Sequence, residues 1–187
     1  MTDEKLTTAS EEMNAAAAAP AETSADPAEK DESLVFFTGG SSHSLDSKGR
    51  IIIPAQFREL LGERFFVAPT DDFKAIALYP TATWVAMRKR LAKLSSYEKL
   101  VRRYLTQFDA LSYRDQECDN QGRLLLPARL RQRLLGDEKE LEVSGAYDHV
   151  MIATRPKSED DYLDVVENME AIQDRLDVLN REHPEDD

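Results

Sequence analysis

Residues 45–54 read Leu-Asp-Ser-Lys-Gly-Arg-Ile-Ile-Ile-Pro, and residues 118–127 read Cys-Asp-Asn-Gln-Gly-Arg-Leu-Leu-Leu-Pro. Asp46, Gly49, Arg50 and Pro54 return as Asp119, Gly122, Arg123 and Pro127 at one offset of 73 residues. The match continues, since Ala55, Arg58 and Leu61 return as Ala128, Arg131 and Leu134. Self-similarity at a fixed period fixes architecture before propensity does. The chain therefore holds two copies of one small unit, each with the same polar turn and an arginine at its exit.

The motif has a local logic. An Asp carboxylate accepts from backbone N–H groups two residues on and holds a turn. Glycine supplies a backbone conformation that a side chain would hinder. The aliphatic triplet anchors a strand in the core, and Pro54 and Pro127 open a short helix, where a missing N–H is no loss. Asp46, Gly49, Asp119 and Gly122 thus shape the turns. Lys48 and Arg50 are presented by one copy and Gln121 and Arg123 by the other. A guanidinium bonds phosphate or the O6/N7 edge of guanine bidentately, and Gln can address adenine. The alternative is that Arg50 and Arg123 bridge back to Asp46 and Asp119 and only stabilise the turns.

Outward from the motifs, Leu34–Phe37 is predicted as a strand, Gly39-Gly40-Ser41-Ser42 as a loop and Arg50–Ile53 as a strand. Ala55–Leu61 follows as a short helix closed by Gly62. Phe65–Ala68 and Ala75–Tyr79 are two further strands. Trp84, Met87, Leu91 and Leu94 share one helical face, and Tyr97, Leu100, Val101, Tyr104, Leu105 and Phe108 another. The second copy retraces the order: strand Arg123–Leu126, a short helix ending near Gly136, and a hairpin of Leu141–Ser144 with Val150–Ala153. A last helix is expected over Glu159–Asn180. Its apolar positions Tyr162, Val165, Met169, Ile172, Leu176 and Leu179 repeat as heptads, which suits either packing on its own domain or self-association. The fold class is α+β. The divisions are an acidic disordered tail over 1–33, a first repeat over 34–110, a second over 111–156, a heptad helix over 157–182 and an acidic tail over 183–187.

The net charge of −12 hides an asymmetry. Residues 1–33 carry −7 and residues 158–187 carry −10, so residues 34–157 carry +5. A basic body between acidic ends is compatible with nucleic acid, whereas the total alone would argue against it. Arg58, Arg129, Arg131 and Arg133 lie on or beside the short helices. Arg88, Lys89, Arg90, Lys93, Arg102 and Arg103 decorate the longer ones, for the most part as solvated faces able to attract phosphate without sequence preference. The single cysteine, Cys118, excludes an internal disulfide framework and fits a reducing compartment. No apolar run has the length of a membrane span and no secretory signal opens the chain, so a cytoplasmic location is expected.

Enzymatic readings find little. His43, His149 and His183 lack ligand spacing, and nothing near Cys118 would lower its pKa. Neither Gly39-Gly40 nor Lys48-Gly49 completes a phosphate loop, and Asp119–Gly122 completes no calcium loop. No cofactor or metal is expected.

The twin Asp-x-x-Gly-Arg turns, Tyr79-Pro80 before a Trp-bearing helix and the 73-residue repeat together resemble the MraZ family of bacterial regulators, relatives of the AbrB-type swapped-hairpin DNA-binding domains. The likeness covers about residues 35–155. It implies two swapped-hairpin repeats interleaved into one β-rich body with peripheral helices, a single chain mimicking an AbrB dimer. It further implies a nucleoid-associated, sequence-specific transcriptional regulator, with repression the favoured sign. Such a protein binds tandem promoter repeats of the division and cell-wall gene cluster as a ring-shaped homo-oligomer. By the same resemblance, DNA contact falls to Lys48, Arg50, Gln121 and Arg123. The chain departs from the family in its 1–33 extension, in Phe108-Asp109-Ala110-Leu111, and in Thr38, where some relatives carry a basic residue. A rival class is a protein-interaction or antitoxin-like module with structural arginines.

Overall fold

The computed structural model describes residues 36–94 and 98–182. Among these, the chain runs through β1 (Gly40–Ser44), β2 (Arg50–Ile52), α1 (Ala55–Leu61), β3 (Phe65–Pro69), β4 (Ile76–Pro80), α2 (Thr81–Leu94) and α3 (Lys99–Ala110). It continues through β5 (Tyr113–Gln116), β6 (Arg123–Leu125), α4 (Ala128–Leu134), β7 (Glu140–Ala146), β8 (His149–Thr154), α5 (Arg155–Glu167) and α6 (Met169–Glu182). The fold is α+β with antiparallel pairing throughout.

The two motif strands meet. β2 and β6 form a two-stranded ribbon in which Arg50 faces Leu125, Ile51 faces Leu124 and Ile52 faces Arg123. Ile51 and Leu124 are equivalent positions at the offset of 73, so a pseudo-twofold axis passes between them. Its signature extends beyond the strands: Ile53 N–H donates to Gly122 O at 2.9 Å and Leu126 N–H to Gly49 O at 3.0 Å.

The remaining strands form a six-stranded sheet in the order β1-β7-β8-β4-β3-β5. The order is a palindrome under exchange of the repeats. β1 of the first repeat pairs with the β7–β8 hairpin of the second, and β5 pairs with the β3–β4 hairpin of the first. The hairpins meet at Ile76 and Ile152, again equivalent once the three extra residues before the second hairpin are counted. Each repeat therefore completes the other's sheet.

Strand alternation decides the core. Ile51, Ile53, Leu124 and Leu126 turn inward with Phe57, Leu61, Leu130 and Leu135 of the short-helix segments, against Phe65, Val67, Ile76, Leu78, Leu141, Val143, Val150 and Ile152 of the sheet. A second cluster lies under α2 and α3. There Trp84 stacks against Phe66 at 4.7 Å and against Phe108 at 5.6 Å, beside Ala68, Ala77 and Tyr79. The second repeat has no counterpart, because the positions equivalent to Phe66, Ala68 and Trp84 are Glu142, Ser144 and Asp160. The sheet face under α5 is polar, and neither α5 nor α6 buries a residue.

Several expectations change. Gly40–Ser42 is not loop but the start of edge strand β1. Its low strand propensity is overridden by pairing with β7, with Ser42 and Ser44 hydroxyls donating to Glu142 and Glu140 at 2.9 and 2.6 Å. The equivalent strand β5 has no counterpart among the predicted strands. The single C-terminal heptad helix is two helices. Asn168 interrupts it with φ of −100° and ψ of 12°, and Asp164 O accepts both its backbone N–H at 3.1 Å and its side-chain amide at 2.8 Å. The expected tails, Leu34, Val35 and Tyr97 lie outside the described residues. Leu100, assigned to an apolar face, stands 70% exposed.

Candidate nucleic-acid interface

Each turn is wired in the same way. Asp46 Oδ1 accepts from Lys48 N–H and Arg50 N–H, both at 2.9 Å, while Oδ2 accepts from Arg50 Nε and Nη2, both at 2.7 Å. Asp119 Oδ1 accepts from Gln121 N–H at 2.9 Å and Arg123 N–H at 3.0 Å, and Oδ2 from Arg123 Nε at 2.8 Å and Nη2 at 2.7 Å. Both carboxylates thus receive four donors. The Arg50 backbone N–H, then its guanidinium, hold the Asp46 carboxyl down to about 2. For Asp119 the Arg123 guanidinium leads and its N–H follows, with the same result of about 2. Hydrogen bonds made to the charged form favour it.

Arg50 and Arg123 therefore do bridge back to their own motif, the structural role weighed against DNA contact. The two roles are compatible. A guanidinium has five N–H donors. Asp46 engages the Nε–H and one Nη2–H, leaving three at the end of the fork, and the side chain retains 26% of its surface (29% for Arg123). The carboxylate fixes the rotamer and leaves the far edge able to address an acceptor pair end-on. Lys48 and Gln121 stand exposed at the turn tips.

Two further arginines join the site, and each comes from the other repeat. A methyl group built on Gly49 would fall 1.4 Å from Nη1 of Arg131, on α4. One built on Gly122 would fall 2.9 Å from Cζ of Arg58, on α1. Arg58 Nε also donates to Ile53 O at 3.1 Å. Both glycines are buried, with φ of 80° and 75°. Their lack of a side chain serves the left-handed turn and admits the guanidinium of the opposite repeat. Each turn is bordered by two arginines, its own and a borrowed one. The sequence held the clue in the recurrence of Arg58 as Arg131, but not the crossing that brings each to the far turn. Counting Asp46, Lys48, Arg50 and Arg131, the first turn has a net charge of two. The second, with Gln121 in place of lysine, has one.

Lys89, Arg90, Lys93, Arg102, Arg103, Arg129 and Arg133 stand exposed outside the turns. Arg88, expected on a solvated face, is held by Asp109 at 2.8 Å and lies 6.0 Å from the Phe108 ring centre. Cys118 is half-buried beside the second turn, and burial pushes its thiol up to about 11, away from nucleophilic character. Among the described residues no helix is long and apolar enough to cross a membrane.

Comparison with known proteins gives one answer. The family model described as "MraZ protein, putative antitoxin-like" matches residues 36–107. A protein of Moorella thermoacetica named transcriptional regulator MraZ is 34% identical over 141 residues, 75% of this chain and 96% of that protein. Its namesake in Acetivibrio thermocellus is 34% identical over 144 residues, 77% of this chain and 99% of the relative. The one in Finegoldia magna is 33% identical over 141 residues, 74% and 94% of the two chains. These relatives carry the name of a regulator, not of an enzyme. With similarity of this level across about three quarters of its length and nearly the whole of each relative, this chain belongs to the MraZ family.

Proposed function

We propose that the protein is a sequence-specific, DNA-binding transcriptional regulator that contacts duplex DNA through its two Asp-x-x-Gly-Arg turns. The observation that carries this reading is the pairing of a carboxylate-oriented arginine with a borrowed arginine at both turns, on either side of one pseudo-twofold axis. Lys48, Arg50, Gln121 and Arg123 make the contacts, with Asp46, Gly49, Asp119 and Gly122 holding the turns. The relatives' name, transcriptional regulator MraZ, supports the same assignment.

Two small basic turns are few contacts for tight binding. We infer that the protein acts as a ring-shaped homo-oligomer on tandem promoter repeats of the division and cell-wall gene cluster, in the cytoplasm at the nucleoid. Linked sites then bind at high effective concentration, and affinity falls steeply with salt. The test is a salt-titrated binding assay on duplexes with one to three repeats. It compares the wild type with an Arg50→Ala, Arg123→Ala double variant matched for thermal stability and sedimentation. Loss of specific binding in the variant alone supports the reading, and equal binding by both returns the arginines to turn structure. Equal affinity for one repeat and three removes the ring.

A second reading, an antitoxin-like interaction module, draws on the exposed apolar side chains of α5 and α6, among them Tyr162, Leu163, Val166 and Leu176. It gains ground if the double variant retains full regulatory activity.

A further inference from the structure

The outer face of the β2–β6 ribbon carries four side chains: Arg50, Ile52, Arg123 and Leu125. The burial pattern along both strands is the same, half-buried, buried, exposed, so Ile51 and Leu124 enter the core while Ile52 and Leu125 face solvent. Ile52 is 50% exposed and Leu125 57%. Single exposed aliphatics are ordinary on a protein surface. These two are not scattered. They are one position in two repeats, and the ribbon register sets each directly opposite an arginine, Ile52 against Arg123 and Leu125 against Arg50.

We propose that Ile52 and Leu125 are specificity-determining residues that take up thymine C5-methyl groups in the major groove of duplex DNA. The inference rests on the DNA-binding reading and extends it from charge to base identity. A two-stranded antiparallel ribbon fits the major groove, and the thymine methyl is the apolar feature displayed there. Phosphates and sugars offer an aliphatic side chain nothing comparable. The occupant follows from the surroundings: Arg50 and Arg123 on the face, and Lys48, Arg58 and Arg131 at the turns, favour a polyanion. Ile52 and Leu125 lie diagonally across the ribbon, roughly 7–8 Å apart for such a pair. That separation is about two base steps. The thymines they touch therefore lie within about three base pairs of each other, and each aliphatic sits beside a guanidinium able to read a neighbouring guanine.

The test replaces thymine by uracil, which removes only the methyl. The full-length protein first selects its duplex from a random pool, and each thymine of that duplex is then exchanged singly for deoxyuracil. One or two exchanges within about three base pairs should weaken wild-type binding about fourfold each, the value of one buried methyl. In Ile52→Ala and Leu125→Ala, the matching exchange should lose its effect while the other keeps it. Both truncations remove exposed atoms, so the variants should melt and sediment as the wild type does. Wild-type binding that is indifferent to every exchange overturns the inference but leaves DNA binding intact. The inference falls equally if the uracil profile persists unchanged in both variants, or if they alter sedimentation instead, which would mark the face as a protein contact. Failure to select any duplex overturns the DNA-binding reading and the inference with it.

Discussion

Replacing Gly49 by alanine tests the turn from two sides. At φ of 80° an L-residue meets a steric penalty of about 1–2 kcal/mol that glycine avoids. The new methyl would also fall 1.4 Å from Arg131 Nη1 and 2.7 Å from its Cζ, so the guanidinium must leave. The arginine is a flexible chain end, and its departure removes a cation from the turn without opening the core. At Gly122 φ is 75°, but the nearest guanidinium atom lies at 2.9 Å, so Arg58 needs only a small shift. Both substitutions should therefore cost the backbone term, about 2–8 °C in Tm for a chain of this size. Gly49→Ala should also flatten the salt dependence of DNA binding by about 0.9 in log–log slope, the signature of one lost phosphate contact. Thermal melts and salt-titrated binding of both variants, alone and with Arg131→Ala, form a double-mutant cycle. In the Arg131→Ala background, Gly49→Ala should retain its effect on Tm and lose its effect on slope. A Gly49→Ala protein as stable as the wild type would refute the reasoning, and so would an undiminished slope effect when Arg131 is absent.

Three further outcomes follow. Lys48→Ala should lower the salt slope by about 0.9, whereas Gln121→Ala, which removes no charge, should leave the slope alone and alter base preference; equal slope changes would contradict the assignment. The Asp46 and Asp119 carboxyls are held at about 2 against an ordinary 3.8, so their stabilising contribution is complete above the unfolded value and lost as pH falls from there towards 2. Acid unfolding should thus be steeper below about pH 4 in the wild type than in an Asp46→Asn, Asp119→Asn variant, and parallel curves would deny that the arginines hold these groups. Deleting residues 1–33, which carry −7, should raise affinity for random duplex at low salt, with the gain vanishing at high salt; unchanged affinity would leave the tail without an electrostatic role.

Much of the turn geometry in the candidate site was legible because the motif is local. Asp46 and Asp119 reach their partners within four residues, and turn chemistry over that span is written in residue type. The short helices between Pro54 and Gly62 and between Pro127 and Gly136 were readable for the same reason. What escaped depends on distant chain. Gly40–Ser44 is polar and becomes a strand only because β7 lies beside it, and β5 is its equivalent against β3. The borrowed arginines Arg58 and Arg131 needed the interleaving before their targets could be known. The C-terminal heptads misled because periodicity records which positions are apolar and not where the backbone leaves helical angles, as it does at Asn168.

The ribbon axis between Ile51 and Leu124 has one more consequence. In a homodimer every substitution is written twice, so such a protein is held to sites that mirror its own symmetry. Here the two halves are spelled separately in one chain. Lysine stands at one turn tip and glutamine at the other, and an aromatic cluster supports one hairpin where the equivalent positions of the other repeat hold Glu142 and Asp160. Covalent fusion thus frees each half to drift on its own. The two halves therefore present unequal charge and unequal support on either side of one axis.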